Sequence, residues 1–192
     1  DGNANKWIEA ANHAGQVIQQ KGGAVGIDAQ GALFYLANSV DQMTEGKNTS
    51  EILWRVDRGG VSSDLEADHF PPTLFGRGRI NPTQNLVDAF PMANGYPISD
   101  GASGYNANNP YENRDPRLTN YILVNGGIAG VNNTAINTAL NSPTNDGLNK
   151  VETSTRTGYY MRKLLRQDVN LNPSNVSGQY HVTPRLRMTE IY

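Results

Sequence analysis

The chain contains no cysteine, which removes disulfide staples, thiolate zinc sites and a thiol nucleophile from consideration without fixing the redox compartment. It has no uninterrupted apolar run long enough to cross a bilayer and no signal peptide at Asp1, so any membrane attachment is expected outside these residues. Basic charge is also short. The 16 Lys and Arg are outnumbered by 18 Asp and Glu, for a formal net charge of −2, and no basic stripe is available to release counterions from a phosphate backbone. Nucleic acid is therefore not expected as a partner.

What remains is a globular chain of 192 residues, 37% of them hydrophobic, enough for one sizeable core and best described as a single region, 1–192. Its 20 Gly and 10 Pro, together with abundant Asn, predict a large share of loop, because Gly and Asn tolerate positive φ and Pro lacks a backbone donor. Loops of this kind usually carry function.

Read in order, NANKWIEAANHAGQVIQQKGG is the clearest helix, with Trp7, Ile8, Ala11, Ala14, Val17 and Ile18 forming one apolar stripe, Asn3 or Asn5 as cap and Gly22 as stop. A weaker helical stretch holds Leu33, Phe34, Leu36, Ala37 and Val40. EILWRV, at 51–56, is short, apolar and bounded by polar residues, and reads as a buried strand. From Asp57 to Asn81 no period is sustained, which predicts a long functional loop. PTQNLVDAF opens on Pro82 at a first helical position, with Leu86, Val87 and Phe90 on one side. YILVNG (121–126) and GYYMRKLL (158–165) read as strands pairing across an Asn-rich surface excursion, and TPRLRMTEIY reads as a helix capped by Thr183. That last stripe has no stop signal, which predicts a portion of a longer protein.

The residues offer no catalytic constellation. Asp88 and Glu112 are the most conspicuous carboxylates, but no spacing places two carboxylates across a scissile bond, and structural hydrogen bonds are expected of both. His13, His69 and His181 are far apart and lack metal-ligand spacing, so each is read as a polar surface group. Asp64, Glu66 and Asp68 place oxygens at every second position and could hold calcium with backbone carbonyls, yet they lack the glycine and distal glutamate of a helix-loop-helix calcium site. A solvated acidic loop without metal or cofactor is expected. GVNNTA and RGGVSS lack the lysine of a phosphate loop.

Binding is the better reading. A glycan presents apolar C–H faces and many hydroxyls, so its site wants flat aromatics edged by amides, charges and backbone groups. Trp54, Asp68, His69, Phe70, Phe75, Arg77 and Arg79 supply such residues. The competing reading places Trp54 and Phe75 in the core, and is preferred for Trp54 because a large aromatic inside an apolar strand is usually buried. Tyr96 and Tyr105 are secondary candidates; of Tyr159 and Tyr160, strand alternation should expose one.

Several spaced motifs carry a family resemblance. KWIEAANHAGQVI, SEILWRV, PTQNLVDAFPMANGYPI, NPYENRDPRL, TGYYMRKLL and RLRMTEIY, in this order, resemble the middle of the SusD/RagB family of bacterial outer-membrane nutrient-binding lipoproteins. The resemblance implies a helix-dominated α+β fold, in which tetratricopeptide-like helices accompany a loop-rich region with a few short strands. It also implies capture of glycans at the cell surface for a SusC-like TonB-dependent transporter, by a lipid-anchored protein that is not an enzyme. Family members are longer, with a lipidated cysteine before this region, so only their internal portion is matched. The alternatives are a peptide-binding member of the family, a glycan hydrolase using unrecognised carboxylates, and a region that mainly docks on the transporter. In a bacterial protein the N-x-[ST] matches at Asn48, Asn132 and Asn175 are expected to be bare. In NPYENRDPRL, Asn113 or Asp115 is expected to cap a turn while Arg114 and Arg117 bind carboxylates or carbonyls, holding the loops rigid against YILVNG.

Overall fold

The computed structural model describes residues 4–20 and 52–187. They fall into two compact units, one holding residues 4–20, 52–59 and 180–187, the other residues 60–179.

In the first unit, α1 (Ala4–Gln20) is the helix that the periodic stripe predicts. None of its residues is buried, and Trp7 and Ile8 are largely exposed. The glycine stop at Gly22, the helical stretch around Leu33 and the Asn48 site lie outside the described residues. Strand β1 (Ile52–Ser62) contains the expected EILWRV strand and runs on past Gly59 and Gly60. It pairs with β6 (Gln179–Arg187) in a two-stranded sheet. The expected helix from Thr183 is thus corrected to a strand. Its Thr-Pro start signal is local, whereas a ladder to a strand more than a hundred residues away satisfies the backbone in another way. Pro184 is tolerated because a two-stranded sheet has only edges.

The second unit corrects the irregular loop expected from Asp57 to Asn81. After β1 ends, Ser62 Oγ accepts from Asp64 N at 3.0 Å and α2 (Asp64–His69) begins. Asp64 and Glu66 in its first turn suit the positive end of a helix. A 3-10 turn, Pro72–Leu74, follows. Helix α3 (Gln84–Ala89) is the one expected, but its cap is Thr83, whose hydroxyl accepts from Leu86 N at 3.3 Å, so Pro82 precedes the cap. Only Val87 of its apolar side is fully buried, while Leu86 faces solvent.

The NPYENRDPRL turn has the chemistry read from it. Asn113 adopts φ 54°, the left-handed region. Asp115 caps α4 (Pro116–Tyr121), accepting from Arg117 N at 2.8 Å, with Pro116 in the first turn. The Arg117 guanidinium bonds both Asp115 oxygens and holds that carboxyl below its usual range. Arg114 is buried and donates to the carbonyls of Pro110, Val87 and Phe90 at 2.8, 2.7 and 2.7 Å. One guanidinium therefore ties the turn to the C-terminal end of α3.

The chain leaves α4 directly into β2 (Ile122–Leu123), which pairs antiparallel with β5 (Tyr160–Met161). This is the expected pairing in its shortest form. It separates two apolar clusters. Ile122 and Tyr159 lie with Val87, Leu118 and Val124, whereas Leu123 and Tyr160 lie with Ala129 and Ile136. Alternation therefore operates, but both sides of the ladder are covered. Tyr159 and Tyr160 are both buried, against the expectation that one would be exposed. The Asn-rich excursion is not all surface either. It supplies the hairpin β3 (Ile128–Ala129) and β4 (Thr134–Ala135) and the fully buried Ile136 and Asp146.

Candidate functional site

The most informative surface is built by Phe75-Gly-Arg-Gly-Arg79. The segment is hydrogen-bonded to the end of α2: Arg77 N, Gly78 N and Arg79 N donate to the carbonyls of Ala67, Phe70 and Asp68, each at 3.0 Å. The backbone lies so close that a Cβ at Gly76 would sit 2.1 Å from Phe70 O. At Gly78, with φ +55°, a Cβ would sit 2.4 Å from Thr153 O. Only glycine fits these inward positions, so Phe75, Arg77 and Arg79 are left facing out.

Phe75 is 55% exposed and adopts φ 64°, ψ 18° as the cap of the 3-10 turn. A bulky aromatic in the left-handed region costs about 1–2 kcal/mol, and such outliers cluster at ligand sites. The turn that carries it is held by the fully buried Asp146, whose carboxylate accepts from Thr73 N at 2.8 Å, Thr73 Oγ1 at 2.5 Å and Thr144 Oγ1 at 2.9 Å. Beside Phe75 lies a cleft of about 70 Å³ edged by Thr73, Asn132, Thr134, Asn170 and Asn172. Sequence reasoning missed these polar residues; their only signal is an overall richness in Asn.

Phe70 is 2% exposed and forms the inner wall of this cleft, so as a stacking platform it is corrected to a core residue. The two phenylalanines flank the 3-10 turn, Phe70 buried before it and Phe75 exposed as its cap. Trp54, preferred as core, is corrected to 62% exposed on β1 and belongs to the first unit.

Asp68, Arg77 and Arg79 are brought together. Asp68 Oδ1 accepts from Arg77 at 3.1 Å and Oδ2 from Arg79 at 3.2 Å, both guanidiniums remaining exposed. Next to them His69 is half-buried and its Nδ1 makes no hydrogen bond. Burial pulls its pKa below the usual histidine value, with Asp68 opposing and Arg79 assisting. Beyond Arg77 and Arg79 opens a larger cleft, about 300 Å³, completed by Asn81, Glu152, Thr153, Ser154 and Arg156.

The expected acidic loop is helical, and its carboxylates have separate tasks. Glu66 is fully buried and accepts from Arg166 N at 2.8 Å, whereas Asp68 pairs with the two arginines. Among the described residues no group of three His, Asp or Glu is arranged to hold a metal ion. His181, read as a surface group, is instead buried. Asp88 accepts from Gln84 and Glu112 from Asn109, the local hydrogen bonds expected of them. Tyr96 is 46% exposed, while Tyr105 lies beneath the Arg114 guanidinium, 5.6 Å from its ring centre.

The SusD family model matches residues 41–192. The chain belongs to the SusD family. Two solved structures share this SusD-like fold. A SusD-like carbohydrate binding protein from Bacteroides fragilis is 22% identical, with a TM-score of 0.60 over 76% of this chain and 28% of its own. A second SusD-like protein from the same organism is 22% identical, with a TM-score of 0.61 over 82% of this chain and 34% of its own. The chain thus spans about a third of the length of these relatives. No curated protein matches it. Among the described residues no helix is long and apolar enough to cross a membrane.

Proposed function

We propose that this protein captures glycans at the surface of a bacterial outer membrane and passes them to a SusC-like TonB-dependent transporter, without cleaving them. The observation that carries the reading is Phe75: an exposed aromatic held in the left-handed region beside an Asn-lined cleft, in a chain of the SusD family. The ring offers a flat apolar face to sugar C–H groups, and the Asn amides and Thr hydroxyls offer donors and acceptors to sugar hydroxyls. Asp146 fixes the turn before any ligand arrives, which reduces the ordering cost of binding. That one of the similar structures is a carbohydrate binding protein supports the ligand class. The membrane is reached through a lipid anchor outside these residues.

Isothermal titration against soluble polysaccharides and peptide pools tests the proposal, with Phe75→Ala as the variant. Glycan binding weakened roughly tenfold in the variant, equivalent to about 1.4 kcal/mol, is the expected result. Binding of peptides alone would sink the glycan reading. Release of reducing ends by pure protein, abolished on substituting one carboxylate, would overturn the absence of catalysis.

A further inference from the structure

The larger cleft has a composition that neutral sugar recognition does not require. Three arginines, Arg77, Arg79 and Arg156, line it together with one acidic residue, Glu152. Asp68, which does not line the cleft, pairs with Arg77 and Arg79, one oxygen each, and leaves both exposed. Arg156 hydrogen-bonds only neutral acceptors, Asn149 Oδ1 at 3.2 Å and the carbonyl of Glu152 at 3.1 Å. Its backbone is fixed by Asn81, whose Oδ1 accepts from Arg156 N at 2.8 Å while its Nδ2 donates to Gly78 O at 2.9 Å. One asparagine thus clamps both walls of the cleft, and the arginines are pre-positioned by parts of the chain 75 residues apart.

We infer that this cleft recognises the anionic substituent of an acidic glycan, a uronate carboxylate or a sulfate ester. The inference rests on the glycan reading and adds the ligand's charge to it. Guanidiniums are matched to such groups because their planar N–H forks bond two oxygens at once. A chain with a net charge of −2 has little general attraction for polyanions, so binding of this kind needs a local site.

Two matched pairs of ligands test it: oligogalacturonate against its methyl ester, and dextran sulfate against dextran. The acidic member of one pair should bind at least tenfold more tightly than its neutral partner, and its affinity should fall as sodium chloride is raised. The pair that discriminates identifies carboxylate or sulfate. Arg156→Gln should abolish the preference, whereas Glu152→Gln should strengthen acidic binding. Changes of opposite sign in two exposed residues cannot come from unfolding. Equal binding within both pairs, unaffected by either variant, would overturn the inference and leave glycan capture standing. Binding of acidic peptides but of no glycan in the wider polysaccharide panel would overturn both, whereas binding of neither member of either pair, with another neutral glycan bound, would overturn the inference about charge alone.

Discussion

Arg114 shows how much one side chain can organise. Its three carbonyl acceptors come from two segments, and each would lose a charged donor on truncation. Hydrogen bonds to a charged group contribute about 1.5–3 kcal/mol each, with strong non-additivity, so Arg114→Ala should destabilise the protein by at least about 3 kcal/mol in urea denaturation. Arg114→Lys should recover little, because a point charge cannot reach three carbonyls that a planar fork spans. His69 gives a different signature. Its folded pKa is depressed, mainly by burial, so the unfolded chain takes up the proton first as pH falls. Its contribution to stability is complete above pH 6.5, the unfolded value, and is lost as pH falls through the folded one. His69→Gln should therefore flatten the decline in melting temperature below neutrality. At this scale the sequence was legible where chemistry is local: Asp115 as cap, Pro116 behind it and Arg114 on carbonyls could all be read from NPYENRDPRL. Phe70 and Phe75 could not be told apart, since their burial differs across the 3-10 turn between them, which composition does not show.

Among the elements, those with a marked apolar pattern were readable in kind, as in α1, α3 and the β2 and β5 pair, though the start of α3 and the lengths of the two strands were not. The Gln179–Arg187 strand was not, because its Thr-Pro pair signals a helix while its ladder partner lies in β1. The Phe75–Arg79 segment lacks a period for the same reason: its order comes from close approach to Phe70 and Thr153, not from its own sequence. Substitution of these glycines separates that approach from simple flexibility. Gly78→Ala must place a methyl group 2.4 Å from a backbone oxygen at a positive φ, and should cost several kcal/mol, about 3 or more, in the range of severe core defects. Gly101→Ala, where a Cβ meets nothing within 4 Å, should change stability by less than about 0.5 kcal/mol. Thermal melts of the two variants side by side would decide the matter, and equal effects would refute it.

At the scale of the molecule, burial among the described residues is unevenly distributed. Residues 60–179 contain the clusters around Leu118 and Tyr160, both fully buried, whereas α1 buries no residue. Helices owe most of their stability to packing, so native-state hydrogen exchange should be slowest at residues 116–124 and 159–161 and faster throughout 4–20. Comparable protection in both regions would contradict that distribution. The family and its SusD-like fold were legible from the order of spaced motifs, most of which lie within residues 41–192. The arginine cleft was not, since Arg156 is brought to its edge by a bond from its backbone N to Asn81, 75 residues away in the chain.

The alternation of Phe75-Gly-Arg-Gly-Arg79 has one more consequence. Because backbone amides and the close approach of the two glycines hold the segment to the scaffold, while the outward arginine side chains add only exposed pairs with Asp68, the outward letters can be rewritten while the glycine frame is kept. Diversifying positions 75, 77 and 79 alone should yield a library of folded proteins with different ligand preferences, so a lineage, or an engineer, could change diet without rebuilding the fold.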